Sequence, residues 1–178
     1  MSIPSGEHTF GPDNASLKIL TQKAGAASKA GHNLTIEVGS WSARLTTGDG
    51  TDASLTVTAD SRSLRVLDGT GGVKSLTEDD KEDIKKTIEK EVLRGCEIEF
   101  RSTSISGSPE LLTIQGELEL GGQWHALSFD VALGNGRLSG GATIKQSDWG
   151  IKPYSALFGT LKVVDEVQVV IDGAVPSA

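Results

Sequence analysis

The feature that most constrains this chain is the segment 96–146, where apolar and polar side chains alternate and stop only at short turn sequences. Cys96, Ile98 and Phe100 alternate with Glu97, Glu99 and Arg101 until Ser106-Gly107-Ser108-Pro109 ends the run. Leu112, Ile114, Leu118 and Leu120 then alternate with Thr113, Gln115, Glu117 and Glu119. Gly121-Gly122 follows as a two-residue hairpin, and Leu127, Phe129, Val131 and Leu133 resume the alternation. After Asn135-Gly136, a pair that tolerates positive φ at both positions, Leu138, Ala142 and Ile144 share a face. Period-two patterning with such turns predicts four consecutive antiparallel strands, one face apolar and the other polar. A meander this long must cover its edges, and closing into a barrel does so.

The first half supplies further strands: Leu17 to Ile19, Leu34 to Val38, Trp41 to Leu45, Ala53 to Ala59 and Leu64 to Leu67. Between Val38 and Trp41 the apolar phase changes, and a bulge at Gly39 accounts for it. Val163 to Ile171 forms the last strand. The expectation is an all-β, antiparallel, lipocalin-like barrel of about eight strands in one domain spanning 1–178. One helix is predicted over about 77–94. Thr77 and Asp80 make a capping-box-like start, Glu78, Asp79 and Asp80 occupy the first turn, and Gly95 stops it. Ile84, Ile88 and Val92 form one narrow stripe, so the helix packs on something apolar, such as a barrel end or flank.

Chemical signatures are weak. His8, His32 and His125 fall on separate elements, and one cysteine, Cys96, builds no zinc knuckle. The acidic run Glu78 to Asp83 lacks the spacing and central glycine of a calcium loop. Gly134-Asn135-Gly136 joins two strands, whereas a dinucleotide fingerprint opens a helix. Gly69-Thr70-Gly71-Gly72 lacks the lysine-serine pair of a phosphate loop, and no serine sits in a GxSxG elbow. No catalytic residue, metal or cofactor is expected. The net charge of −7 argues against nucleic acid, no basic start or apolar run suggests a signal peptide, and no stretch is apolar enough for stable membrane insertion. With a single cysteine these point to a cytoplasmic protein.

Several motifs in order resemble the YceI-like family of lipid-binding proteins. Ser147-Asp148-Trp149-Gly150-Ile151 followed by Val163 to Val169 is similar to its closing aspartate-aromatic-glycine turn and last strand. Ala59-Asp60-Ser61-Arg62-Ser63-Leu64, Leu112 to Leu118 and Gly31-His32-Asn33-Leu34 resemble three earlier family motifs. Gln146-Ser147 stands where an arginine is usual. The resemblance implies a barrel holding a polyisoprenoid, such as a prenyl pyrophosphate or quinone.

The expected function is therefore non-catalytic carriage or sequestration of a long apolar ligand. The alternative is a ligand-free structural or protein-interaction barrel. The expected ligand-facing residues are Ile36, Val38, Trp41, Phe100, Ile114, Leu118, Leu127, Phe129, Ala142, Ile144, Trp149 and Tyr154. Gly116 and Gly140, in phase with Ala142, are expected to leave room inside. The stretch from Trp149 to Phe158 reads as a loop over one barrel end, with Trp149 reporting on ligand. Partners are the apolar ligand, no nucleic acid, and, left open, a second copy in a homodimer.

Overall fold

The computed structural model describes residues 4–48 and 53–175. Along the chain run β1 (Gly6–Phe10), β2 (Ala15–Leu20), β3 (Lys23–Ala24), β4 (Asn33–Val38), β5 (Trp41–Thr47), β6 (Ser54–Asp60) and β7 (Leu64–Thr70). Helix α1 (Glu78–Thr87) leads to the long meander β8 (Glu97–Ser108), β9 (Leu111–Leu120), β10 (Gln123–Gly134) and β11 (Arg137–Lys145). The chain closes with β12 (Ser155–Ala156), β13 (Leu161–Val163) and β14 (Glu166–Ala174). The meander turns are those the sequence indicates. Gly121 and Gly122 both have positive φ, as do Asn135 and Gly136, the geometry a tight antiparallel hairpin demands.

The principal sheet contains eleven strand segments rather than about eight, in the order β1-β5-β6-β8-β9-β10-β11-β14-β2-β4-β7. The difference has a simple physical origin: three strands are broken at one corner. β1 and β2 run successively along β5 and β4, and β6 and β7 run successively along β5 and β4 on the other side. β4 and β5 are joined through only Gly39-Ser40. Joining each broken pair end to end gives eight long strands. Because β14 pairs with β2 and β6 pairs with β8, those eight close into a ring. Closure leaves few strand edges unpaired.

Gly39 marks a corner instead of a simple bulge. Val38 pairs with Leu64 and Trp41 with Ala59, so two residues on one strand oppose four on the other. The amide of Gly39 donates to the Ser63 carbonyl, and Asp60 N–H donates to Ser40. A Cβ on Gly39 would lie 2.9 Å from the Ser63 oxygen, which is why glycine stands there. The phase change keeps Ile36 and Val38 on the inner face together with Trp41, Ala43 and Leu45. A second irregularity, between Ser102 and Ser104, lets β8 continue to Ser108, past the point where its alternation ends.

At its corner the ring opens slightly: β7 pairs only with β4, and β8 begins opposite Asp60. Helix α1 packs along β7 on that side. Its start is a full capping box, with Thr77 Oγ1 accepting from Asp80 N–H (3.1 Å) and Thr77 N–H donating to Asp80 Oδ2 (2.9 Å). The helix continues as a wider π turn over Ile88–Val92. A stripe at every fourth residue drifts by about 40° per step on a 3.6-residue turn. One wider turn takes that drift back, keeping Ile84, Ile88 and Val92 on the same inward side.

Candidate functional site

Inside the ring lies a cavity of about 710 Å³, its wall almost entirely hydrocarbon. It exists because inner-face residues alternate around all eight strands while the barrel is too wide for them to meet. β4 and β5 contribute Ile36, Val38 and Trp41; the meander contributes Phe100, Ile114, Leu118, Leu127, Phe129, Ala142 and Ile144. Tyr154 joins them from the loop after β11. Eleven of the twelve residues singled out in the sequence thus share one cavity. Trp149 does not. It is buried outside the cavity wall, its indole N–H donating to the Leu118 carbonyl (2.9 Å) and its ring meeting His125 edge-on. Gln146 opens a short 3-10 turn over Gln146–Trp149 and lines the cavity, whereas Trp149, at the end of that turn, packs against β9 through the Leu118 carbonyl.

Two glycines also differ from expectation. A Cβ on Gly116 would stand 2.5 Å from the Phe100 ring, and one on Gly140 would stand 3.1 Å from a Val131 methyl. The backbone carbonyls of Arg101 and Asp130 on the neighbouring strands stand closer still, so these glycines admit close strand packing and leave no room. Ala142, by contrast, is half-buried on the cavity wall opposite Val169.

The sequence reading missed several lining groups. Leu17, Ile19 and Leu34 face inward from strands too short to show a full alternation, and Val167, Val169 and Ile171 do so from β14. Ile84, Ile88, Val92 and Leu93 line the cavity from the helix side. Their fourfold stripe was legible, as was an apolar barrel end or flank for its target; that these side chains line the cavity itself was not.

The mouth lies where β2, β4, β7, β11 and β14 reach a common end: Leu20 is level with Thr35 and Gln168, and Asn33 with Thr70. A small sheet of β12, β13 and β3 borders it. Lys23, His32, Lys74 and Lys162 reach the cavity here. Lys23 Nζ donates to the carbonyls of Gly31 and Gly71, tying the β3 and β7 loops together. His32 Nε2 lies 2.7 Å from the Lys74 carbonyl. Asp80, also at the mouth, has its pKa lowered chiefly by the Thr77 backbone and side-chain hydrogen bonds, with smaller help from Lys74 and His32. Asp165 accepts from the Ser147 hydroxyl and from its N–H (2.8 Å), and the hydroxyl bond chiefly holds this carboxyl below the usual carboxylate range.

Between β12 and β13, Leu157 and Phe158 both adopt left-handed backbone, φ 52° and 57°. For bulky L-residues that conformation costs roughly 1–2 kcal/mol each. Thr160 holds the turn, donating to the Leu157 carbonyl from both N–H and hydroxyl. Among the described residues, no three or more His, Cys, Asp or Glu side chains gather as a metal site.

Ring and cavity together define an antiparallel β-barrel built around an apolar internal space with one polar mouth. The chain belongs to the YceI-like domain family, whose model matches residues 12–175. Its fold is similar to that of Burkholderia cenocepacia BcnA, with TM-score 0.64 at 15% identity over 92% of this chain and 96% of that one. It is also similar to a Campylobacter jejuni YceI protein, with TM-score 0.53 at 14% identity over 80% of this chain and 85% of that one. At such identities these likenesses establish the fold. No curated protein sequence matches the chain. No helix among the described residues is long and apolar enough to cross a membrane.

Proposed function

We propose that the barrel binds one long apolar molecule, of the polyisoprenoid, prenyl pyrophosphate or quinone kind, and carries or sequesters it without chemical change. The observation that carries this reading is the continuous apolar wall of the 710 Å³ cavity. Taking about 30 Å³ per water- or methylene-sized group, the space matches a chain of roughly twenty such groups. Water is a poor occupant because it needs several polar partners, and this wall offers few. An apolar chain is a good one. Burying about fifteen of its carbons contributes roughly 12 kcal/mol at about 0.8 kcal/mol per methylene. That is enough for micromolar binding after an association cost toward the lower end of about 4–15 kcal/mol.

Mass spectrometry of an organic extract of the purified protein tests the proposal directly, with a bound lipid as the expected result. Titration of delipidated protein with a prenyl quinone gives the second test. Trp41 lies on the wall, whereas Trp149 does not and Trp124 is on the outside beneath Arg101. The quinone is expected to quench fluorescence in wild type and in Trp149→Phe, and much less in Trp41→Phe. No extracted lipid together with a flat titration would leave the solid structural barrel as the better reading.

A further inference from the structure

We propose that the cavity mouth docks on the surface of an anionic lipid bilayer, with Leu157, Phe158 and Val73 entering the interface. The reading rests on the carrier proposal for its purpose but on separate observations for its geometry. Phe158 is fully exposed (108%), Val73 is 84% exposed and Leu157 56% exposed. Phe158 and Leu157 form the tip between β12 and β13, and Val73 lies in the loop after β7. Both loops border the mouth and are tied to the β3 loop. Lys23 bonds to Gly71, Ala27 N–H donates to the Thr160 carbonyl, and β13 pairs with β3.

Outside the start of α1, where Asp80 and Asp83 also line the mouth, the charge of this rim is opposite to that of the molecule. Segments 21–31, 71–76 and 151–164 contain Lys23, Lys29, Lys74, Lys152 and Lys162 and no carboxylate, in a chain of net charge −7. Lys29, Lys74, Lys152 and Lys162 are exposed and form no ion pair with a described residue. A membrane reads charge only within about a Debye length, roughly 8 Å at physiological salt, so these lysines outweigh acids on the far side of the barrel. The acidic first turn of α1 borders the rim, which sets the docked orientation with the β12–β13 tip foremost. Exposed apolar side chains on loops that also carry lysines are the two signals that together give peripheral membrane binding. Tyr154, Leu161 and Lys162 carry the patch continuously from this tip into the cavity, so a docked barrel opens onto the lipid phase.

The test is flotation of the delipidated protein with vesicles, either pure phosphatidylcholine or phosphatidylcholine with about one-third phosphatidylglycerol. Wild type is expected to float with the anionic vesicles, to release toward 1 M salt, and to stay behind with the neutral ones. Phe158→Ser should weaken partitioning about tenfold or more, and the pair Lys29→Glu with Lys152→Glu should do likewise. None of these three residues lines the cavity, so prenyl-quinone quenching in solution should be unchanged in the variants. Retained quenching with no flotation of wild type, or with equal flotation of the variants, overturns docking and leaves the carrier reading standing. Self-association of wild type that Phe158→Ser abolishes, without vesicle binding, would assign the patch to a second copy instead and equally overturn the proposal.

Discussion

The two ends of the barrel are built from the same alternating pattern and behave as different materials. At the end away from the mouth, Phe10 pairs with Ala43, Leu45 with Leu55 and Leu133 with Leu138, and all six are buried. They border the cavity too, but as buried members of the packed core cluster. Toward the mouth, Leu17, Ile19, Leu34, Ile84, Ile88 and Val92 are equally apolar yet only half-buried, because they face space rather than one another. Alternation sets which face is apolar; strand bending and closure decide whether that face becomes a core or a container. The corner at Gly39-Ser40 separates the two regimes, since it turns β4 and β7 away from the line of β5 and β6.

The largest expected effect tests the packed end. Phe10→Ala removes a 3% exposed ring and should cost about 3–5 kcal/mol in urea unfolding. The matching change at the mouth, Ile88→Ala, should cost markedly less, because partly exposed methyl groups lose less on truncation. Equal costs would show that the mouth is packed as tightly as the floor and would break the comparison. Ile88→Asp sharpens it further. A charge aimed into the apolar wall should destabilise by several kcal/mol if water cannot reach it. Entry of water through the mouth would reduce that cost while apolar-ligand affinity still falls.

Next in size is Ala142→Phe on the cavity wall. In a filled core such overpacking costs roughly 1–3 kcal/mol or more. Here the ring enters space, so the delipidated variant should melt within a few degrees of wild type while quinone affinity falls at least tenfold. Lipid must be stripped from both proteins first, because bound ligand stabilises by mass action. A delipidated variant melting well below wild type would count against an open cavity at this position.

Much of this architecture was legible in the sequence. The meander β8–β11 carries its strands, turns and faces in the alternation of Ile98 to Ile144 alone, and Thr77 with Asp80 announces the helix start. What was not legible depends on three dimensions. The paired breaks at 39–40 and 61–63 belong to strands that are neighbours only after folding, so one phase change read as a bulge. Trp149 lies one residue out of the inward phase of Ile144 and Gln146, and the 3-10 turn that seats it against β9 is held by Asp165, nineteen residues from Gln146. The glycines misled for a related reason, since only contacts reveal that Phe100 fills the space beside Gly116. The cationic rim leaves a different trace. Acids are missing from three loops, a signal visible only once those loops are known to meet.

The smallest expected effect is electrostatic and acts on the mouth alone. Asp165 ties the Ser147 turn to the start of β14, and that turn carries Gln146 into the cavity. Its folded pKa lies below the ordinary 3.8, chiefly through the Ser147 hydroxyl. Below the folded value the folded and unfolded chains are both protonated at this site, and the bond to the carboxylate is gone. Above 3.8 both are ionised and the full stabilisation is present. Stability from Asp165 is therefore complete near neutral pH and is lost as pH falls from about 4 through the folded pKa. The side chain is partly exposed and so screened by solvent, and the loss should be minor for the whole protein. It should appear locally instead, as faster amide hydrogen exchange in 146–151 on acidification, ahead of the packed end around Phe10 and Leu45. Asp165→Asn should remove the acid-dependent part while lowering protection of 146–151 already at neutral pH. Simultaneous loss of protection at both ends, in wild type and variant alike, would show that mouth and floor open as one unit and that their difference in packing has no counterpart in stability.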